Sequence, residues 1–422
     1  MATEESLPPS ETPQSPPVTP PETLGVRLWQ LAQVFLKLGV IGFGGPQAHM
    51  AMQNDEAVGR RQWLTQEQFT EAIAVCEMLP GPASTQLGIY IGYSRAGHWG
   101  AVIAGLCFIA PAYLIVLLLS WIYFRFQSLP QLESVLLGVS PIVMAIILGF
   151  CWHLGKKTLK EWTRIAIAIA VFLAAWLGKV NVAILFMAAA LLGSLLYGPR
   201  GPLPGGKPAQ TLGIWMLASV TGISAETLAL SGFWGVERLA DYGWALAWFF
   251  LKVGSLIYGG GLVIIPFLAG EVVDQLAWLT PKEFLDGVAI GQLSPGPVVL
   301  TAAFVGYKVA GVWGSLIATV AIFLPSFVFI MAAAPILLRI RHNPWIKGAL
   351  TGVTPAALGA IAAAAIPLAE GSLLLPTLTQ TIVACVLMVL GLVGLLRFKV
   401  PTWQLIPAGA LLGLLVGFLP LN

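Results

Sequence analysis

Charged side chains are scarce in this sequence of 422 residues: they make up 10% of it, whereas hydrophobic residues make up 57%. A water-soluble domain has about 25% charged residues, so a soluble fold of this length would have too few to cover its surface. The composition therefore predicts an all-α polytopic membrane protein that lies in a lipid bilayer.

Signatures of several other protein classes are missing as well. The basic residues form no run of the kind that binds nucleic acid. Neither a GxxxxGK(S/T) nucleotide loop nor an HExxH zinc motif occurs. The cysteines lack CxxC spacing and stand in apolar stretches, at Cys76, Cys107, Cys151 and Cys385. We expect no enzyme, no cofactor and no metal, and secondary transport driven by an ion gradient or by exchange.

A repeat organises most of the chain. Phe35-Leu36-Lys37-Leu38-Gly39 returns as Phe250-Leu251-Lys252-Val253-Gly254, at an offset of 215 residues, and Pro80-Gly81-Pro82 returns as Pro295-Gly296-Pro297. After one deletion the offset becomes 214, which pairs Ser140-Pro141 with Thr354-Pro355. Chance cannot hold one register for so long, so we expect two homologous halves.

We divide the chain accordingly. The repeats span 24–200 and 240–422, and the linker 201–239 has room for an extra span. Residues 1–23 contain seven prolines and no basic residue. Such a stretch buries too little apolar surface to fold, so we expect a disordered cytoplasmic tail and not a signal peptide.

Hydrophobic runs of transmembrane length recur in both halves. They lie at about 25–45, 98–124, 131–154, 161–178 and 180–197, and again at about 240–262, 311–338, 345–368, 374–396 and 401–420. Between the first two runs of each half, the segments 67–94 and 282–309 are broken at Pro-Gly-Pro, because proline removes a backbone donor and clashes with the preceding turn. We expect about 10–13 transmembrane helices.

Loop charges predict that the two halves form an inverted repeat. The loop 155–164 contains four basic residues, whereas its equivalent 369–378 contains none; 339–347 is basic and its equivalent 125–133 is not. Because basic loops stay in the cytoplasm, equivalent loops lie on opposite sides of a cell inner membrane. This topology needs 211–230 to cross, makes the N-terminus cytoplasmic and leaves Arg60 and Arg61 outside.

Inverted repeats place substrate sites where interrupted helices meet. Helices that begin at Pro82 and Pro297 would direct free N–H groups and a partial positive charge at each break, which attracts an anion. The alternative is a kink that only helps packing. The candidate substrate-binding residues are both Pro-Gly-Pro segments and the polar residues after them: Pro80, Gly81, Pro82, Ser84, Thr85, Gln86, Pro295, Gly296, Pro297 and Thr301.

Lys37 and Lys252 lie inside apolar helices, where a lysine costs roughly 3 kcal/mol. Their equivalent positions indicate a shared task, since two ammonium groups on one axis would balance a divalent oxyanion; snorkelling to the interface is the alternative. Glycines that allow close approach of a ligand or helix follow each lysine, at Gly42, Gly44 and Gly45 and at Gly259, Gly260 and Gly261.

Glu77 breaks the symmetry, because its counterpart is Gln292. A carboxylate one turn before the break could carry a coupling proton, or it could pair with Lys37. His49, Gln47 and Arg60 are weaker candidates, because a buried polar residue or a solvated loop charge explains them equally well.

Together these motifs resemble the chromate ion transporter (CHR) family in its long, two-domain type. The resemblance rests on Phe35–Gly39, Gly42–Pro46, Trp63–Thr65, Leu79–Gln86 and Gly97–Gly100 with their second-half echoes. It covers about 24–420 and implies export of chromate across the cytoplasmic membrane, which gives chromate resistance. Sulfate, a similar tetrahedral dianion, is implied as a competing or exchanged anion. Glu77 departs from the neutral polar residue that is more common in the motif.

The residues alone leave other functions open. One alternative is a secondary transporter of another anion, such as sulfate, a phosphate-like ion or a carboxylate. The other is a membrane scaffold or sensor that transports nothing. A homodimer is compatible with either function.

Overall fold

The computed structural model describes residues 22–126, 130–178, 180–198, 232–258, 261–333, 344–375 and 377–417. Within these ranges the regular structure is entirely helical. The predicted tail, the linker span at 211–230 and the glycines Gly259 and Gly260 lie outside the described residues.

Seven helices form the first half. They are α1 (Leu24–Ile41), α2 (Gly45–Asn54), α3 (Gln66–Met78), α4 (Ala83–Phe126), α5 (Pro130–Thr158), α6 (Trp162–Trp176) and α7 (Val182–Tyr197). A π-helical turn at Asp55–Arg60 extends α2. The predicted hydrophobic runs match α1 and the last four helices, although α1 ends at Ile41, before the glycines.

The second half repeats this order. It contains α8 (Val236–Leu256), α9 (Ile264–Phe267) with a π-helical turn at Leu268–Val273, α10 (Pro281–Leu293), α11 (Thr301–Ala333), α12 (Pro344–Leu373), α13 (Leu378–Leu396) and α14 (Thr402–Gly417). Equivalent capping boxes begin α3 and α10, where the Thr65 and Thr280 side chains each accept a bond from the backbone three residues on.

Six of the described helices are long and apolar enough to cross a membrane: Leu24–Ile41, Ala83–Phe126, Glu133–Thr158, Val298–Ala332, Pro344–Leu373 and Leu378–Leu396. Shorter apolar helices occur at Trp162–Trp176, Val182–Tyr197, Gly261–Val273 and Thr402–Gly417. The chain is thus a multi-pass membrane protein. The larger predicted count of 10–13 spans stays a prediction.

Contacts along α10 and α11 show that the chain turns back at the second Pro-Gly-Pro. A Cβ at Gly291 would touch Thr301, one at Gly287 would touch Phe304, and Glu283 pairs with Lys308 over 2.7 Å. Moving away from the turn in both directions, each residue before it thus contacts a residue about equally far after it. The two helices lie side by side as a hairpin.

The chain after α8 also returns along that helix. Trp278 packs edge-on against Phe249 at a ring distance of 6.1 Å, and Lys252 forms an ion pair with Glu271. The first half has the equivalent ion pair, Lys37–Glu56, at 2.6 Å. Each half therefore begins with two successive hairpins.

Sharp turns divide α4 and α11 at equivalent positions. Backbone angles leave the helical range at Ala96–Gly97 and at Ala310–Gly311, and both glycines have positive φ, at 64° and 54°. Gly92 packs backbone to backbone on Gly100 across the first turn. The first 13 residues of α4, up to Arg95, thus form the second arm of a hairpin. The long remainder turns back along this arm, because a Cβ at Gly105 would meet Ile89.

This long part of α4 ends beside the second half. The Tyr123 hydroxyl donates a bond to Asp286 of α10 over 2.8 Å, and the Phe124 ring lies 4.9 Å from that of Phe304. Reciprocally, Ile330, near the end of α11, is buried in the apolar cluster of the first-half hairpins, beside residues such as Leu31 and Leu87. Each long helix therefore connects the hairpins of its own half to those of the other.

Candidate functional site

The turns of the first-half hairpins contact the turns of the second-half hairpins. We call them tip 1A (Gly42–Gly44), tip 1B (Leu79–Pro82), tip 2A (Ile257–Tyr258) and tip 2B (Ser294–Pro297). Gly44, with φ of 108°, and Gly81, with φ of 127°, adopt left-handed backbone conformations that favour glycine. The sequence therefore forms tight turns at two of the positions where glycines were singled out.

Contacts between the tips join the two halves. The Gly81 N–H donates a bond to the Ile257 carbonyl over 2.7 Å, which links tip 1B to tip 2A. A Cβ at Gly42 would lie 2.8 Å from the Pro295 carbonyl, so tip 1A packs against tip 2B. The Tyr258 hydroxyl also bonds to the Glu77 carbonyl. Both Pro-Gly-Pro segments thus lie against the other half.

Tip 1B is polar. The Gln86 amide donates to the Pro80 carbonyl over 2.6 Å, while Ser326 of α11 lies against Gly81. Three buried oxygens around this tip have no hydrogen-bond partner among the described residues: Thr85 Oγ1, Gln86 Oε1 and Ser326 Oγ. Buried polar groups are normally paired, so this is a place where a polar ligand would satisfy groups that the protein leaves open.

His49 connects tip 1A to the start of α4. One ring nitrogen lies 2.6 Å from the Gly42 carbonyl and the other 3.2 Å from the Ser84 hydroxyl. Gln53 also donates to the Ser84 carbonyl over 3.0 Å. Of the weaker candidates, His49 is therefore a buried positioning residue, whereas Gln47 is exposed and Arg60 is an exposed partner of Asp55.

Tip 2B is apolar, which the sequence repeat did not predict. Val298, Val299 and Leu300 are buried in a 3-10 turn, where the first half has serine, threonine and glutamine in a regular helix. The Thr301 hydroxyl bonds to the Val298 carbonyl in its own turn, over 2.9 Å. A Cβ at Gly296 would meet Ala112, the residue equivalent to Ser326. The two tips therefore differ in chemistry.

Helices were predicted to begin at Pro82 and Pro297. The first begins one residue later, and a 3-10 turn separates Pro297 from the second. α4 begins at Ala83, and Pro297 is the cap of a 3-10 turn with extended backbone, at ψ of 131°. The carbonyl of Pro82 instead accepts the first bonds of α4, from the Thr85 and Gln86 N–H groups. The N–H groups of Ala83 and Ser84 come before these first bonds, so they have no acceptor within the helix.

Lys37 and Lys252 each pair with a carboxylate of their own half, Glu56 and Glu271. The acids are also separated by 215 residues (271 − 56), so the repeat itself could have identified them. The idea that Lys37 pairs with Glu77 is wrong, because its partner is Glu56. Lys37 is half exposed while Lys252 is 14% exposed, so the two ammonium groups are not equally accessible.

Glu77 is exposed, and its described contact uses its backbone carbonyl. The burial on which a proton-carrying role for Glu77 rested is therefore absent at this position. Asp286 of α10, a residue that the sequence did not single out, is fully buried.

Two repeated halves of apolar helices, whose hairpin turns contact each other at one polar and one apolar tip, are typical of a membrane transporter. The chromate transporter family model matches residues 29–194 and 244–414. The chain belongs to this family, which confirms the resemblance and the expectation of a transporter and not an enzyme. No solved structure is similar to it.

Individual relatives agree with this assignment. The chain is 35% identical over 409 residues to the chromate transport protein of Cupriavidus metallidurans, covering 93% of each chain. It is 33% identical over 364 residues to the probable chromate transport protein of Synechococcus elongatus, covering 85% of this chain and 89% of that one. The uncharacterized transporter YwrA of Bacillus subtilis is 31% identical over 169 residues, which are 95% of its length and 39% of this chain's. One repeat thus also occurs as a separate protein.

Proposed function

We propose that this protein exports chromate, a tetrahedral dianion, across the cytoplasmic membrane by secondary transport, and thereby gives chromate resistance. The observation that supports this most strongly is tip 1B. Donor groups from one half and Ser326 from the other surround a turn at which buried oxygens bond to no residue in the described part of the chain. Family membership and the chromate transport proteins to which the chain is similar favour chromate as the anion.

The anion binds at the start of α4 in this proposal. The N–H groups of Ala83 and Ser84 and the positive end of the helix dipole attract negative charge. The hydroxyls of Thr85 and Ser326 and the second N–H of the Gln86 amide complete a set of neutral donors, whereas the Gln86 carbonyl oxygen only accepts and does not bind the anion. Hydrogen bonds to a charged group contribute about 1.5–3 kcal/mol each, so a few such donors can replace part of the hydration shell of a dianion.

Lys37 and Lys252 provide the opposing charge. Glu56 and Glu271 hold them while the site is empty, and the anion competes with these carboxylates for the ammonium groups. Lys37 is the more accessible of the two and lies five residues before tip 1A. The remaining glycine and proline positions of the four tips let the backbones approach closely enough to enclose the anion.

We also propose that the halves form an inverted repeat with hairpins that enter and leave the membrane on one side. A helix of 29 residues is about 43 Å long, enough to cross a bilayer. The long part of α4 starts beside the first-half hairpins and ends beside those of the second half. The hairpin bases of the two halves therefore lie on opposite sides.

This arrangement changes the side assigned to Arg60 and Arg61. They lie at the base of a first-half hairpin, and an even number of crossings (α4 and α5) separates that base from the basic loop 155–164. Both are then cytoplasmic, in agreement with the preference of basic residues for that side. The helices broken at Pro-Gly-Pro become hairpin arms in place of single spans.

Uptake of labelled chromate into everted membrane vesicles tests the function. We expect accumulation under an imposed ion gradient, with sulfate as a competitor. A substrate panel in the same vesicles distinguishes chromate from a carboxylate or phosphate-like ion. Lack of uptake under every imposed gradient, together with unchanged chromate resistance in a sensitive host, would favour a scaffold or sensor.

A further inference from the structure

Asp286 is a buried carboxylate between the two halves. It belongs to α10, its side chain is 0% exposed, and it receives bonds from two first-half hydroxyls. Tyr123 of α4 donates to one carboxylate oxygen over 2.8 Å, and Ser140 of α5 donates to the other over 3.4 Å. Its contacts therefore change whenever the halves move relative to each other.

The charges around Asp286 leave it without a described ion-pair partner. Lys282, one turn earlier, is exposed, and the nearby Glu283 is already paired with Lys308. The charged residues on α10 and on the described elements packed against it are Lys282, Glu283, Arg95, Arg125, Glu133, Lys156, Lys157, Lys308, Lys347, Glu370 and the lysine-paired Glu271, and the tyrosines Tyr123 and Tyr307 are titratable as well. Burying an ionised carboxylate with only neutral donors costs free energy. Protonation removes the charge and therefore lowers this cost while the side chain stays buried.

We propose that Asp286 binds and releases one proton in each transport cycle, and that this proton couples anion movement to a pH gradient. In the described arrangement two hydroxyls hold the carboxylate; when the halves separate at α4 and α10, water reaches it and the proton exchanges. The proposal rests on the proposed transport function but uses a residue outside the four tips. Glu71, the equivalent residue of the first half, is exposed and is therefore a matched control.

The test uses the full-length protein in proteoliposomes that contain a pH-sensitive dye, with labelled chromate as substrate. In the wild type we expect a pH gradient to drive accumulation and chromate movement to change the internal pH, in whichever direction the coupling runs. Asp286→Asn should lose both effects while exchange of internal for external chromate at equal pH stays within about twofold of wild type. Glu71→Gln should keep all three activities.

Two results would overturn this role. One is net chromate accumulation by the wild type without any change in the internal pH; the other is an Asp286→Asn protein that still accumulates chromate under a pH gradient. Absence of exchange in the wild type would instead refute the proposed transport function. If Asp286→Asn does not fold, Tyr123→Phe removes one donor to the charged form and should move the pH midpoint of transport upward by about one unit. An unmoved midpoint would count equally against the proposal.

Discussion

The Gly81 N–H of the first repeat donates a hydrogen bond to the Ile257 carbonyl of the second, over 2.7 Å. This bond joins the Pro-Gly-Pro segment of the first half, where the sequence predicted a helix break, to the residues that follow α8 in the second half. It places the open polar groups of tip 1B at the contact between the halves. Relative movement of the halves would therefore alter the site itself, as alternating access requires.

Thr85→Val tests whether the unpartnered hydroxyl serves the anion. Valine has nearly the same shape, and it removes a buried hydroxyl that bonds to no described residue. We expect the melting temperature to stay the same or rise, while the KM for chromate rises about tenfold or more, since a bond to a charged group is lost.

Thr319→Val is the matched control for this substitution. The Thr319 hydroxyl is also buried in α11, but it bonds to the Ser315 carbonyl over 2.8 Å. We expect lower thermal stability and an unchanged KM. The reverse pattern in the two variants would show that the tip hydroxyl only supports the fold.

A double substitution separates the two roles of Lys37. Lys37→Met alone leaves Glu56 without its ammonium partner, whereas Lys37→Met with Glu56→Gln removes both charges. If the lysine binds the anion, the double variant should still show a KM raised about tenfold or more. Recovery of wild-type kinetics in the double variant would show that Lys37 only forms a structural ion pair with Glu56 and does not bind the anion.

The Lys308–Glu283 pair provides the control for charge removal as such. It joins the arms of a second-half hairpin, and its two side chains are 11% and 13% exposed. Lys308→Met with Glu283→Gln keeps a glutamine that can complete the capping box of α10. We expect near-wild-type KM for chromate from this variant.

Cysteine labelling tests the inverted arrangement. Glu67 and Lys282 are equivalent exposed residues (282 − 67 = 215) in the first turns of α3 and α10. In a background without the four native cysteines, Glu67→Cys and Lys160→Cys should react with an impermeant reagent from the cytoplasmic side. Lys282→Cys should react from the opposite side. Labelling of Glu67→Cys and Lys282→Cys from one side would exclude the inversion.

The sequence predicted the repeat and the apolar helices well, because the register of Lys37 with Lys252 and the run lengths are local properties. It did not predict the hairpins. The helices before the two Pro-Gly-Pro segments, α3 and α10, have 13 residues each, and such a helix can be half of a broken span or one arm of a hairpin. Only tertiary contacts such as Glu283 with Lys308 distinguish these arrangements. The Ala96-Gly97 turn had a signal, a glycine that ends a helix, but the apolar run around it concealed the turn.

The partners of the charged residues were missed for different reasons. Glu56 and Glu271 occur at the repeat offset, so the alignment of the halves would have revealed them. Asp286 and Tyr123 are 163 residues apart and have no repeated counterpart pair, so only the packing of α4 on α10 brings them together. The sequence Val298-Val299-Leu300 indicates that tip 2B is apolar. Because the prolines of the two halves match, both Pro-Gly-Pro segments were nevertheless interpreted as equivalent anion sites.

Exchange of labelled chromate in proteoliposomes containing Gly81→Ala tests the central claim most directly. A methyl group there would overlap Ser326 Oγ and the Gln86 amide, in a left-handed backbone conformation that costs alanine about 1–2 kcal/mol. Gly270→Ala is the control, because a Cβ at Gly270 meets no atom within 4 Å. We expect Gly270→Ala to exchange chromate like wild type and folded Gly81→Ala to be at least about tenfold slower. A folded Gly81→Ala protein that exchanges chromate at the wild-type rate would contradict the central claim.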